Sequence, residues 1–115
     1  MSFHPSKSQL SESTISAYLE APITDSLTSG GLAIGIGPAT EKILSKERVL
    51  TGFQLIAKFL SFKGAGMTPK EHVQAFYNWL CDIGIAPGHR AGLCHAVAEK
   101  ANTMFPELSY SMHDY

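Results

Sequence analysis

The stretch LAIGIGPATEKIL, residues 32–44, contains a tight turn followed by the start of a helix. Gly35 and Gly37 flank Ile36, and glycine adopts backbone angles that other residues reach only at a cost. A hairpin with a buried isoleucine at its tip is therefore expected. Pro38 follows where its missing N–H and fixed φ suit the first position of a helix. The next apolar residues recur at helical spacing: Ala39, Ile43 and Leu44.

A short turn of this kind between two helices is typical of a helix-hairpin-helix motif, which we place at about residues 26–45. Backbone N–H groups at the hairpin and at a helix start have no partner within the helix, so they can face a phosphate. The alternative is that the Gly-Ile-Gly segment is only a turn between core helices. The proline and the helical spacing after it favour contact with DNA.

Composition and length favour one globular domain. The chain has 115 residues, of which 44% are hydrophobic and 17% charged, as in ordinary globular proteins. We expect a disordered N-terminus at 1–10, a single helical domain at 11–105 and a C-terminal tail at 106–115. No apolar run approaches about 18 residues and no signal segment is visible, so we expect no membrane insertion and an intracellular location.

Charge is distributed unevenly along the chain. Residues 1–40 carry one Lys and three acids, a balance of −2, and residues 71–115 carry a balance of −3. Residues 41–70 carry six cations and two acids, a balance of +4. The positive block begins directly after the hairpin, as contact with phosphates would require. The alternative interpretation is a solvated helix face.

The periodicity along the chain predicts an all-α bundle of about five helices. A first helix has its cap between Ser6 and Ser13 and ends before Pro22, because proline disfavours the helical conformation of the residue before it. The hairpin helix covers about 37–45 and another helix about 48–62. The segment Thr68-Pro69-Lys70-Glu71 combines a capping box with proline at the first helical position.

The end of that helix and the bounds of the next are also marked in the sequence. Gly84 ends the helix that begins after Thr68, and Pro87 or Gly88 begins the last one, which Pro106 limits. The inward faces are predicted to contain apolar residues at helical spacing: Val73, Phe76, Tyr77 and Leu80, then Leu93, Val97 and Met104.

The helix at about 48–62 is apolar around more than half of its circumference. A surface helix of a monomer buries a narrower stripe. We therefore expect this helix to be central in the core and to contact a second subunit. The residues assigned to that contact include Phe53 and Leu60.

With these elements in place, the chain resembles barrier-to-autointegration factor over most of residues 14–105. The resemblance is carried by LAIGIG and the helix after it, by QLIAKFL, by FYNWLCD and by a final helix after a short loop. It implies a compact helical homodimer of SAM-like architecture that binds double-stranded DNA without sequence preference and bridges two duplexes. It also implies a nuclear location, beside the cytoplasmic one, and nuclear-envelope or chromatin proteins as partners.

The resemblance assigns roles to individual residues. It places the backbone amides of Gly35, Gly37 and Ala39 against phosphate, with Lys42 one turn further on. It gives the start of the last helix as the second DNA-contacting edge, with Gly88, His89 and Arg90 after Pro87. Ala57 matches a small residue where subunits of the family pack.

The chain departs from the family at three of these places. Pro38 lacks an amide donor, Ile43 stands where the family has a second basic residue, and His89 stands where it has lysine.

Two other classes of function remain as alternatives. Similar helical folds serve as protein-interaction modules without DNA binding, in which case the basic block is only a solvated face. A zinc or thiol site would draw on Cys81, His89, Cys94 and His95, but these residues show no CxxC or HxxxH spacing. We predict no metal, no cofactor and no enzymatic activity.

Overall fold

The computed structural model describes residues 3–22, 27, 34 and 36–108 of the chain. Within these ranges it contains five α-helices and no strand, which confirms the all-α prediction. Short 3₁₀ turns precede the first helix, at Pro5–Lys7, and follow the last, at Pro106–Leu108. The helices are α1 Glu12–Glu20, α2 Pro38–Lys46, α3 Gly52–Ser61, α4 Pro69–Asp82 and α5 Pro87–Met104.

The central helix of the domain is α5. It packs on α1, α3, α4 and both 3₁₀ turns, and its middle from Ala91 to Ala98 is buried apart from His95. We expected the helix at 48–62 to hold this position, and that prediction was wrong. Apolar content alone does not identify the core helix, because the small side chains of α5 allow neighbours to pack closely on several sides. Met104, predicted to point inward, is 38% exposed.

The helix α1 begins and ends with its backbone groups satisfied. The Ser11 side chain accepts a hydrogen bond from the N–H of Thr14, as a capping serine does. At the other end the buried Nζ of Lys100 donates to the carbonyls of Tyr18 at 2.8 Å and Ala21 at 2.6 Å. An ammonium group is favourable at a helix C-terminus. Lys100 thus fixes α1 against α5, a role that the sequence did not indicate.

The boundary between α2 and α3 differs from the prediction. The chain leaves α2 through Arg48, whose φ of 61° lies in the left-handed region. The N–H of Val49 then bonds the carbonyl of Leu44 at 3.0 Å, and that of Arg48 bonds Ser45 at 3.0 Å, which is a Schellman motif. The helix α3 begins only after Thr51. A helix beginning at Arg48, as we predicted, is incompatible with this turn.

The helix α4 begins and ends as the sequence predicts. Thr68 Oγ1 accepts from the N–H of Glu71, and Glu71 Oε1 accepts from the N–H of Thr68, so the capping box is complete. These hydrogen bonds lower the pKa of Glu71. Gly84 follows the helix with a φ of 91°, where glycine is favoured. The predicted inner face is buried: Val73, Phe76, Tyr77 and Leu80.

The N-terminal segment packs on the domain from residue 3 onward. The disorder expected for residues 1–10 stays a prediction. Phe3 is buried, its ring centroid lies 5.9 Å from that of Tyr77, and its N–H donates to Gln74 Oε1 at 2.8 Å. Leu10 lies against Gly92, where an added Cβ would approach it to 3.2 Å. The contact of Phe3 with Tyr77 and the fit of Leu10 against Gly92 therefore hold this segment on the domain. Its polar composition had suggested disorder.

A buried histidine links α3 to α4. The ring of His72 stacks on Phe59 with centroids 4.1 Å apart, and its Nε2 lies 2.8 Å from the Phe59 carbonyl oxygen. Burial disfavours the charged imidazolium and lowers the pKa of His72. The ring is therefore held neutral in the core.

The Schellman turn after α2 gives a stability prediction. We expect Arg48→Gly to raise the free energy of unfolding by about 0.5–1 kcal/mol, since glycine adopts a positive φ without the penalty of a side chain. Gly84→Ala should lower it by about 1 kcal/mol for the same reason. Urea denaturation of both variants measures these changes. A loss of stability in Arg48→Gly would show that the arginine side chain contributes more than its backbone conformation costs.

The buried histidine gives a prediction about pH. Since the pKa of His72 is lower in the folded chain, the unfolded chain takes up the proton first as the pH falls. The free energy of unfolding should be constant above about pH 6.5 and decrease below it. Urea denaturation between about pH 7.5 and 5 tests this, and His72→Gln should reduce the slope, leaving the part that His95 contributes because burial lowers its pKa as well. An unchanged slope in His72→Gln, or a slope equally reduced by the exposed control His89→Gln, would contradict the assignment.

Candidate functional site

The amino-terminal ends of α2 and α5 meet at one cavity of about 390 Å³. Its walls come from the first turn of α2, from the loop before α5 and from the first turn of α5. The cavity is lined by Gly37, Pro38, Ala39, Thr40, Ile43, Gly84, Ala86 and His89.

No side chain caps either of these helix starts. Gly37 and Ala86 occupy the cap positions and neither has a side-chain acceptor. The first N–H groups in hydrogen bonds are those of Glu41, to Gly37, and His89, to Ala86, each at 2.9 Å. The amides of residues 39, 40 and 88 make no hydrogen bond within the described part of the chain. Free amides at a helix start attract anions, which the helix dipole reinforces.

Two glycines occupy these helix starts, at positions where the fold has room for a side chain. A Cβ added at Gly37 or at Gly88 would meet no atom within 4 Å. Gly37 has a φ of −88° and a ψ of −174°, an extended conformation open to any residue. We expected this glycine to be needed for its backbone angles, and that expectation was wrong. Glycine in a helix lowers its stability by up to about 1 kcal/mol relative to alanine, so Gly88 weakens α5 without an internal reason.

The residues predicted to form the hairpin and the helix after it differ in how the structure places them. Gly35 lies outside the described residues. Ile36 is 1% exposed, which confirms that its side chain points inward. Only its backbone is therefore free to face a ligand. Ala39 is exposed at the first turn of α2, and Lys42 is exposed one turn further along the same helix.

The two predicted cations of α5 differ in their surroundings. His89 is exposed and lines the cavity. Arg90 is half-buried, and its Nε donates to the carbonyl of Ile85 at 2.7 Å. Arg90 therefore fixes the loop before α5 in addition to any charge that it offers. Nothing in the spacing of these residues indicated that role.

The described residues that line the cavity carry no negative charge. None of those that line it is acidic. Glu41 belongs to the first turn of α2 but does not line the cavity. Each helix start contributes a partial positive charge to the cavity.

The outward face of α3 is apolar and exposed. Phe53 is 59% exposed and Ala57 is also exposed, while Leu60 is half-buried against the core. Leu50, just before α3, is 54% exposed, and we had not assigned it to the contact. Large side chains exposed together on one face are typical of an interaction surface.

The cysteines and histidines do not form a common site. Cys94 is buried, with Sγ 3.7 Å from the Val73 carbonyl oxygen, and burial raises the pKa of its thiol. Cys81 is half-buried and also free. His95 lies 4.0 Å from Glu99 on the same helix. Over the described ranges, no group of three or more such residues could hold a metal ion.

Comparisons with protein-family models, curated proteins and solved structures found no match to this chain. The predicted resemblance to barrier-to-autointegration factor therefore stays a prediction from the residues quoted above. In the part of the chain that the structure describes, no helix combines the length and apolar character needed to cross a membrane.

Proposed function

We propose that the chain binds double-stranded DNA without sequence preference, through the amino-terminal ends of α2 and α5. In this proposal α2 is the second helix of a helix-hairpin-helix motif within a SAM-like fold. Two copies associate through the outer face of α3 and bridge two duplexes. The DNA would be contacted at its phosphates rather than at its base edges.

The main support for the proposal is that two helix starts without a side-chain cap meet at one cavity. Their amides lack partners, and Gly37 and Gly88 keep side chains away from both of them although the fold has room for a Cβ. Close approach of an external backbone accounts for glycine at both positions. A phosphate group suits this place, since it is anionic and accepts several N–H donors.

Such a site would bind DNA of any base sequence, and its affinity would depend on the salt concentration. Backbone amides contact phosphate oxygens, which are the same at every base pair. Lys42 adds a mobile charge one turn along α2, and His89 adds another when it is protonated. Each neutralised phosphate releases counterions, so affinity falls as the salt concentration rises.

A dimer would bind DNA more strongly than one chain does, because its two weak sites act together. The exposed face of Leu50, Phe53 and Ala57 offers apolar area that a second copy could bury. A symmetric contact would leave one DNA site on each subunit and so link two duplexes.

The DNA proposal is tested by fluorescence anisotropy with two short duplexes of unrelated sequence. We expect equal affinities, and a fall of about tenfold or more between about 50 and 200 mM salt. Gly37→Glu places a carboxylate at the phosphate position and should reduce affinity by about tenfold or more. Gly64→Glu, in the loop between α3 and α4, makes the same charge change elsewhere and should have a much smaller effect.

Alanine variants separate binding from folding. Gly88→Ala, inside the first turn of α5, should leave the free energy of unfolding unchanged or raise it by up to about 1 kcal/mol. Gly37→Ala, at the cap position of α2, should lower it by no more than about 1 kcal/mol, so the chain stays folded. Both should weaken DNA binding, because the added methyl group lies between the amides and the phosphate. Full DNA affinity in both variants, or no binding by the folded wild type at low salt, would refute the proposed site.

The dimer is tested by sedimentation analysis. We expect the wild type to sediment as a dimer, and Phe53→Glu or Ala57→Glu as a monomer, since a carboxylate would be buried in the contact. Ala65→Glu, in the exposed loop after α3, is the matched control and should remain dimeric. A wild type that stays monomeric at high concentration would contradict the proposed contact.

A further inference from the structure

A second depression lies on the other side of α5, where α1 and the N-terminal segment meet it. Its volume is about 510 Å³, within the range of about 300–1,000 Å³ that is usual for ligand pockets. It takes its walls from the first 3₁₀ turn, α1 and α5, and we call it the α1–α5 groove. The residues that line it include Ser6, Leu10, Glu12, Ile15, His95 and Glu99.

The charge of the groove is negative. Glu12 is exposed at the start of α1, and the side chain of Glu99 is 32% exposed on α5. None of the described residues that line the groove is Lys or Arg. His95 Nε2 lies 4.0 Å from a Glu99 oxygen, but burial lowers the pKa of His95, so near neutral pH its ring does not balance the carboxylates.

The walls of the groove are apolar below these carboxylates. Leu10 and Ile15 line it together with Pro5. Lysine and arginine side chains bury an aliphatic stem against apolar surface while the charged end meets a polar partner. The groove offers both parts of this arrangement, an apolar wall and carboxylates at its opening.

A polar atom in the groove wall also lacks a partner. The Nδ1 atom of His95 is buried and makes no hydrogen bond within the described part of the chain. Because this atom has almost no exposed surface, we assign recognition of a cation to the two carboxylates.

We propose that the α1–α5 groove binds a lysine or arginine side chain presented by a basic peptide segment of a partner protein. The side-chain stem packs on Leu10 and Ile15, and its charge is shared between Glu12 and Glu99. The groove shares no lining residue with the cavity between α2 and α5. A partner can therefore bind here whether or not the chain binds DNA.

The test uses the full chain and a labelled peptide of alternating arginine and glycine, blocked at both ends, at low salt. We expect anisotropy to show saturable binding with one peptide per chain. The double variant Glu12→Gln, Glu99→Gln should bind about tenfold more weakly. The double variant Glu47→Gln, Asp82→Asn changes the net charge equally at exposed positions outside the groove, and should lose less than about twofold.

Two further measurements distinguish insertion from general attraction. Ser16→Trp, at the exposed edge of α1, should block the groove and weaken binding about tenfold with all carboxylates present. Replacing arginine by citrulline in the peptide keeps its shape without the charge and should abolish binding.

Equal losses in the groove and control variants would overturn the proposal in favour of non-specific attraction. Self-association of the chain that is lost in Glu12→Gln, Glu99→Gln would overturn it in favour of a second copy as occupant. DNA affinity measured on the same variants is expected to be unchanged, so failure here leaves the proposal for the cavity intact.

Discussion

Packing around α5 is the constraint on which the rest of the structure depends. Small side chains at Ala91, Gly92, Ala96 and Ala98 let other elements approach this helix from several directions. Gly92 accommodates Leu10 at a distance that a larger residue would not permit without movement. The buried ammonium of Lys100 then ties the end of α1 to the same helix. One helix thereby sets the position of nearly every other element.

The same helix carries both proposed binding surfaces. Its first turn stands beside the start of α2, where two sets of unpaired amides give a positive field. Further along, His95 and Glu99 face the N-terminal segment and Glu12, where the field is negative. A net charge of −1 hides this division, because electrostatic function depends on where charges lie rather than on their sum.

Local chemistry predicted much of the secondary structure, and the remainder required the packed chain. The capping box at Thr68, Pro38 at a helix start and Gly84 after a helix each act within a few residues, so the sequence reveals them. Arg48 in a left-handed conformation has no such signal. The central role of α5 and the packing of residues 3–10 depend on contacts distant in sequence, which periodicity does not report. The meeting of Gly37 and His89 likewise came only from the family resemblance, until the structure brought both residues to one cavity.

The central claim is that unpaired amides at two helix starts contact phosphate. The most direct measurement is an NMR titration of the ¹⁵N-labelled chain with a short DNA duplex, which follows each backbone amide. We expect the largest shifts at Ala39, Thr40 and Gly88, for two unrelated duplex sequences alike. Largest shifts on the outer face of α3, or none at these three amides under saturating DNA, would contradict it.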